Sequence, residues 1–309
     1  MQAMLLAAGL GTRLKPLTDL LPKPVVPVAN RPLGAFAMDH LARAGVRSIV
    51  ANTHPRPELV ERILESHCPA GLNLVFSRET TLLGTGGGLR NARPRFEDPA
   101  APVIVINGDM LFAPDLSEAY RLHLEKGAVA TMILRRTPDP SQFGAIGIDS
   151  DGWVRTLLGA PSREDVTEEL MFTGAHILAP EAFDAMPETG CVIRSAYRGW
   201  VDSGAPVLGL IDESPWADLG TVSDYHRVNL ELASGLRRWP GVLPVAGSLL
   251  APDQVGASHR ASIRNSVVGS GVRFADSASI DQCVVWPDSV ITRSASQAVI
   301  TPKHRIELS

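Results

Sequence analysis

The sequence predicts an α/β protein: a doubly wound, mostly parallel sheet, followed by a short β-rich segment of different character. Three observations carry this expectation. Short apolar runs alternate with segments of helical spacing in the first part of the chain. The run Val103-Ile104-Val105-Ile106 has no polar position, as a strand covered on both faces requires. After Trp239-Pro240-Gly241 the helical spacing stops, and a near-repeat with an offset of seventeen residues begins.

Residues 2–6 are brief and apolar and read as a first strand. Residues 32–44 place Leu33, Phe36, Leu41 and Ala44 at helical spacing, with Pro32 in the first turn and Gly45 as a stop. Residues 47–51 form a second strand, 58–66 a helix through Leu59, Ile63 and Leu64, and 72–76 a third strand. The buried strand covers 102–106, and ligands are expected outside the carboxyl ends of such strands. A helix over 116–126 stops at Gly127, and a strand covers 128–134. Ser150-Asp151-Gly152 joins residues 145–149 and 153–158 as a hairpin. Strands follow at 172–178 and 206–211, then a helix over 222–233, capped by Thr221 and ended by Gly235.

In the tail, Ala261-Ser-Ile-Arg-Asn-Ser-Val-Val268 aligns with Ala278-Ser-Ile-Asp-Gln-Cys-Val-Val285. Val255, Ala261, Val267, Val272, Ala278, Val284 and Val290 recur every five or six positions. The pattern resembles the hexapeptide left-handed β-helix, whose triangular coils take about eighteen residues and turn small or branched side chains inward. The expected division is 1–238 and 239–309.

With 309 residues the chain is long enough to bury a sizeable core. Its apolar content is 45% and its formal net charge is -4, which argues against nucleic acid as a partner and confines any cationic site to a local cluster. Cys68, Cys191 and Cys283 form no CxxC pair and read as small buried hydrophobes in a reducing compartment. No signal peptide or apolar run of membrane-spanning length is read, so a cytoplasmic protein without a membrane partner is expected. The eight histidines give no HxH or HExxH pattern, and His54 and His176 read as structural, or simply near the site, rather than catalytic.

The densest chemical signal is the loop after the first strand, Leu6-Ala-Ala-Gly-Leu-Gly-Thr-Arg-Leu-Lys-Pro-Leu-Thr-Asp-Leu-Leu-Pro-Lys-Pro24. Gly9 and Gly11 allow a sharp turn that brings backbone N–H groups toward a ligand. Arg13, Lys15 and Lys23 place three cations within eleven positions, and Pro22 and Pro24 stiffen the backbone around Lys23. These parts suit a polyphosphate. No GxxxxGK run is present, and the third glycine of a GxGxxG fingerprint is replaced by Leu14, so neither common phosphate motif applies.

The loop resembles the signature of the sugar-1-phosphate nucleotidyltransferases, or nucleotide-diphospho-sugar pyrophosphorylases: Gly-x-Gly-Thr-Arg-x-x-Pro-Leu-Thr followed by Pro-Lys-Pro. The resemblance extends in pieces to about residue 235, and the family often carries a hexapeptide tail. It implies a Rossmann-like nucleotidyltransferase fold. It also implies a reaction in which a sugar-1-phosphate oxygen attacks the α-phosphorus of a nucleoside triphosphate and pyrophosphate leaves. Two unit charges 4 Å apart repel by roughly 4 kcal/mol at an effective dielectric of 20, so catalysis is expected to be charge neutralisation and alignment.

By resemblance, Arg13 and Lys23 are the catalytic cations, with Lys23 near the α-phosphate and Lys15 a weaker candidate. The nucleotide is expected at Leu6, Ala8, Gly9, Gly11 and Thr12, at Asn107 and Gly108, and at Gly86 and Gly87 of Glu79-Thr-Thr-Leu-Leu-Gly-Thr-Gly-Gly-Gly88, which resembles the family's base-binding loop. Asp109 resembles the family's metal-binding aspartate, and Asp218 of Trp216-Ala-Asp-Leu-Gly-Thr221 matches Trp-x-Asp-Ile-Gly-Thr; together they imply one Mg²⁺. Gly144, Thr173 and Gly174 match turns that face the sugar.

One departure stands out. Where the family usually has Glu-Lys-Pro, with a lysine that holds the sugar phosphate, this chain reads Leu157-Leu158-Gly159-Ala160-Pro161. Mg²⁺ or Arg163 is the expected replacement. Length and tail resemble the mannose-1-phosphate guanylyltransferases most, which points to GTP and mannose-1-phosphate. N-acetylmuramate-1-phosphate uridylyltransferases and heptose-1-phosphate guanylyltransferases share the GTGGG loop and stay open as alternatives. A non-catalytic, nucleotide-sugar-binding regulatory subunit is the alternative of another class; the presence of Arg13, Lys23, Asp109 and Asp218 argues against it. Acyl transfer by the tail would have only His259 and His304 to draw on, so the tail is expected to serve assembly into a homo-oligomer instead.

Overall fold

A computed structural model describes residues 1–160, 163–255 and 262–308. Pro161, His259 and Ala261 therefore lie outside the described residues. The chain forms two compact units: Met1–Leu10 with Gly34–Trp216, and Gly11–Leu33 with the chain from Ala217 onward. These units interleave along the chain.

The first unit is built on a nine-stranded sheet. Gln2–Ala8 lies at its centre and pairs in parallel with Ser48–His54 on one side and Val103–Asn107 on the other. Asn73–Arg78 extends the parallel half beyond Ser48–His54. The helices Leu33–Arg43, Pro57–Glu65 and Gly84–Ala92 occupy the intervening segments, as the alternating pattern predicts. The second half departs from that pattern. Glu168–Leu178 is eleven residues long and runs antiparallel to Val103–Asn107, to Ala130–Arg135 and to Ile146–Ile148. Val207–Ile211 then pairs in parallel with Ala130–Arg135, and the Ile146–Ile148/Val154–Leu157 hairpin closes the far edge. The core packs Met4, Val50, Val105, Met132, Leu178 and Tyr197 in one cluster.

In the second unit the helix Val222–Ser234 is capped as read: the Thr221 hydroxyl accepts from the Asp224 N–H at 3.1 Å, and Gly235 ends the helix at φ +76°. The tail forms parallel coils of a short β-helix. Ser262–Arg264 pairs with Ser279–Val285 at the offset of seventeen, Ser262 opposite Ser279 and Ile263 opposite Ile280. Leu249 stands opposite Val267 below, and Cys283 opposite Ala298 above, so the neighbouring coils are eighteen and fifteen residues long. Asn265, Gln282 and Gln297 turn successive corners at positive φ, a conformation to which Asn is better suited than Gln.

The phase of the interior differs from the expectation. The interior cluster holds Val268, Val272, Ala278, Val285 and Ile291. Val267 and Val284 are buried outside it, in the strands against which Val222–Ser234 packs. Val255 and Val290 are exposed, and Ile291 takes the place predicted for Val290. Of the cysteines only Cys283 is buried; Cys68 is half-buried and Cys191 exposed.

Candidate active site

Parallel pairing brings the carboxyl ends of Gln2–Ala8, Ser48–His54, Asn73–Arg78 and Val103–Asn107 to one edge of the sheet. Hydrogen bonds tie these ends together. The Gly9 N–H donates to His54 O at 2.9 Å, and the Gly108 N–H donates to Leu6 O at the same distance. The Gly9 N–H, expected to face a ligand, is thus engaged within the protein. Asn52 links three segments: its Oδ1 accepts from the Ala7 N–H at 2.8 Å, and its Nδ2 donates to Glu79 Oε1 at 2.7 Å. The other Glu79 oxygen accepts from the Leu83 N–H at 2.9 Å, so a buried carboxylate fixes the lead into Gly84–Ala92. No motif singled out Asn52; its position at the end of a buried strand was the available signal.

Gly86 and Gly87 lie buried inside that helix. A Cβ on Gly87 would stand 2.4 Å from Glu188 O, and one on Gly88 would stand 2.7 Å from Asn52 Nδ2. The glycine run therefore lets the helix approach both neighbours closely. This packing requirement is separate from any contact to a base.

Asn107 and Gly174 meet at the same edge: a Cβ on Gly174 would lie 2.6 Å from Asn107 Nδ2. Asp109 follows in the turn before Met110–Phe112. Thr173 donates its hydroxyl to Ile133 O at 2.6 Å, and its own carbonyl accepts from Trp216 Nε1 at 3.1 Å. The Trp216 ring meets Phe143 edge to face at 5.8 Å. Trp216 thereby links the Phe143-Gly144 turn to Thr173-Gly174, which lie within the strand Glu168–Leu178 at an irregularity of its pairing and not in a turn as expected. His54, at the same strand edge, lies 3.2 Å from Glu79 O, and His176 is buried against the Tyr197 hydroxyl. Burial pushes the His176 imidazole down to about 3.

The loop that replaces Glu-Lys-Pro is a tight turn, with Leu158 and Gly159 both at positive φ and Leu157 and Ala160 bonded in both directions. It abuts the Gly144 turn, where a Cβ would lie 2.4 Å from Leu158 Cδ2. Arg163 lines a groove beside it with Thr156, Gly159 and Glu168. A different arginine grips the turn: Arg198 donates to Leu157 O and to Ala160 O, each at 2.8 Å. Arg198→Ala is expected to raise the KM for the sugar phosphate about five- to tenfold with a smaller change in kcat, because the turn beside Gly144 loses two charge-assisted bonds. An unchanged KM, measured by pyrophosphate release, would show that the turn holds its shape without the guanidinium.

In the second unit, Gly11 adopts φ +56° and opens the short 3-10 turn Thr12–Leu14. The Gly11 carbonyl accepts from the Leu14 N–H at 3.0 Å and from the Thr18 hydroxyl at 3.0 Å. A Cβ there would stand 2.8 Å from Thr18 Cγ2 and 3.2 Å from Lys23 Cβ. Gly11→Ala combines an unfavourable φ with that clash, so a loss of kcat of about a hundredfold is expected at a Tm lowered by only a few degrees. Steady-state rates and a melting curve check this, and wild-type kcat would show that the loop has more room than its contacts indicate.

Lys23 sits in the 3-10 turn Lys23–Val25, and its side chain is only 7% exposed. Its Nζ stands 3.7 Å from Asp218 Oδ1, and Arg13 Nη2 stands 3.9 Å from Asp218 Oδ2. A Cβ on Gly220 would lie 3.0 Å from Arg13 Nη1, so the glycine leaves room for the guanidinium. One buried ammonium and one exposed guanidinium thus converge on one carboxylate. Lys15 points elsewhere and pairs with Asp19 at 3.0 Å on the surface.

The sequence model of the nucleotidyl transferase family matches residues 2–235. The chain belongs to that family. Among its relatives is a mannose-1-phosphate guanylyltransferase of Mycobacterium tuberculosis, 29% identical over 92% of this chain and 79% of that protein. A UTP–glucose-1-phosphate uridylyltransferase of a Synechocystis species is 32% identical over 73% of this chain and 61% of that protein. The crystal structure of HddC from Yersinia pseudotuberculosis shares the fold, with a TM-score of 0.60 and 22% identity over 74% of this chain and 97% of that one. The matched span includes residues 9–24, with Gly11, Arg13 and Lys23.

Among the described residues no helix is long and apolar enough to cross a membrane. No group of three or more His, Cys, Asp or Glu side chains placed to hold a metal ion is present among them either. A metal held here would therefore take few protein ligands and draw the rest from substrate and water.

Proposed function

We propose that the chain transfers guanylyl from GTP to mannose-1-phosphate, giving GDP-mannose and pyrophosphate. The convergence of Lys23 and Arg13 on Asp218 carries the catalytic part of this reading. A phosphate monoester is mostly dianionic at neutral pH, so the nucleophile needs little help from a base. It needs cations where two anions must meet, and a fixed line of approach. Lys23 supplies an almost buried ammonium, which acts more strongly on a developing charge than an exposed one would. Arg13, largely exposed, suits the leaving pyrophosphate portion.

We assign the triphosphate to Leu6, Ala8, Gly9, Gly11, Thr12, Gly86, Gly87, Asn107 and Gly108, and the sugar to Gly144, Thr173 and Gly174. Asp109 and Asp218 would hold Mg²⁺; their hard carboxylate oxygens fit it, and the ion would neutralise phosphate charge when bound. Residues 1–238 are assigned to catalysis and the tail to assembly, and a cytoplasmic site of action fits the substrates. The choice of base and sugar rests on the mycobacterial relative, whose likeness runs through the tail as well. The Synechocystis relative favours UTP and glucose-1-phosphate as the second reading.

The test is pyrophosphate release from five nucleoside triphosphates against a panel of sugar-1-phosphates, with N-acetylmuramate-1-phosphate and a heptose-1-phosphate included. Highest kcat/KM for GTP with mannose-1-phosphate, and loss of turnover on chelation of divalent cations, are expected. Preference for another pair would replace the substrate assignment, and full turnover in excess chelator would remove the metal from it.

A further inference from the structure

The position of Lys23 depends on a turn a few residues further along. Pro27–Val28 and Arg31–Pro32 form a small hairpin whose two central residues, Ala29 and Asn30, have φ +47° and +63°. Residues with a Cβ adopt this conformation when their surroundings hold it. Here the holders are identifiable. The Ala29 N–H donates to Asn229 Oδ1 at 2.8 Å, and the Tyr225 hydroxyl donates to Pro27 O. Asn30 Nδ2 donates to Val268 O at 3.0 Å. Tyr225 and Asn229 are four apart on the helix Val222–Ser234, so one helix face grips the turn twice. The Tyr225 hydroxyl in turn accepts from Trp286 Nε1 at 2.9 Å, a side chain of the tail. Tyr225, Asn229 and Trp286 are all buried.

The connection from this turn back to Lys23 is short and stiff. The Leu33 N–H donates to Val26 O at 3.0 Å, the Val26 N–H donates to Lys23 O at 3.2 Å, and prolines flank the lysine on both sides. The same helix begins four residues after Asp218, the carboxylate beside Lys23. One helix therefore sets both members of the pair.

We propose that Tyr225, Asn229 and Trp286 are positioning residues for Lys23, so that the β-helical tail takes part in setting the catalytic geometry as well as in any assembly. This rests on the catalytic reading of Lys23. An ammonium moved by a fraction of an ångström from the reacting phosphate costs rate without costing ground-state binding in proportion.

The test uses the full-length protein, with initial rates taken well below the melting temperature of every variant. Tyr225→Phe is expected to lower kcat about tenfold while both KM values stay within about twofold. Trp286→Phe, which removes the indole donor and also some buried ring volume, is expected to lower kcat about threefold in the same pattern. Ile291→Ala, inside the coil and away from this network, serves as the stability control: a lower Tm with wild-type kcat is expected. If the two network variants keep the kcat of the control, the residues only support the fold and the proposal is overturned. Should Tyr225→Phe fail to fold, Trp286→Phe decides alone. Lys23→Ala separates the two ideas. An active Lys23→Ala removes the reading on which the inference stands; an inactive one beside a fully active Tyr225→Phe removes the inference only.

Discussion

Replacing Lys23 with alanine is expected to lower kcat by about a hundred- to a thousandfold, the range found when one preorganised electrostatic donor is removed from an active site. Two features of the structure set this expectation. The ammonium is almost wholly buried, so it acts in a medium that screens it poorly. Its Nζ also stands 3.7 Å from Asp218, which places the cation beside a carboxylate. The expected loss falls on kcat more than on the KM for the triphosphate, because the charge at the α-phosphorus is what changes during the in-line step. Stability should change little, since deleting a buried cation also removes the cost of keeping it out of water. Pyrophosphate release and a melting curve on the same preparation decide the point. A variant with kcat within threefold of wild type would show that the reacting phosphate sits elsewhere. Lys23→Arg is a useful companion: it keeps the charge, but its planar fork does not fit a site shaped for a compact ammonium, so partial activity is expected.

Much of this site was legible in the sequence, for reasons that differ from residue to residue. Gly11 could be read because the turn it makes excludes other residues. Lys23 was singled out through the resemblance of Pro22-Lys23-Pro24 to the family signature, and the structure buries it in a short 3-10 turn. The helix ends at Thr221 and Gly235 were read from capping chemistry that acts within a few residues. The groups that hold these elements in place were not legible, because they act across long separations. Asn229 bonds a residue 200 positions away, and Tyr225 bonds one 198 positions away. Nothing near Asn229 or Tyr225 in the chain distinguishes them from other polar positions on a helix. Arg198, 41 residues from the Leu157 carbonyl it holds, was hidden in the same way, and Arg163 drew attention only because it is near in sequence.

The fold shows the same division. Apolar runs located every strand of the main sheet, yet they carry no information on direction, so the antiparallel course of Glu168–Leu178 could not be read from them. In the tail, the seventeen-residue offset matches the pairing of Ser262 with Ser279. The phase was lost because the pattern offers Val267-Val268 and Val284-Val285, two equal candidates at each place. Side chains alternate along a strand, so a choice between neighbours is a choice between faces, and only the helix packed outside decides it.

Asp218→Asn is expected to abolish turnover and to lower Tm, and the two effects have separate causes. Turnover should fall by about a thousandfold or more, since the amide withdraws the charged oxygen proposed to hold the ion and removes the anion on which Lys23 and Arg13 converge. The fall in Tm comes from Lys23. With Asp218 neutral, a mostly buried ammonium loses the carboxylate beside it while Arg13, largely exposed, is compensated by water. A decrease of about 2–4 °C is expected, the shift that roughly 1 kcal/mol produces in a chain of this size. The causes can be separated by a second change. Combining Asp218→Asn with Lys23→Met removes the cation along with its partner, so Tm should return to near wild type while turnover stays lost. Additive losses of Tm in the double variant would mean that the two side chains stabilise the protein independently. A single variant that keeps its turnover would show that neither the ion nor the pair depends on Asp218, and the carboxylate would then have to be sought at Asp109.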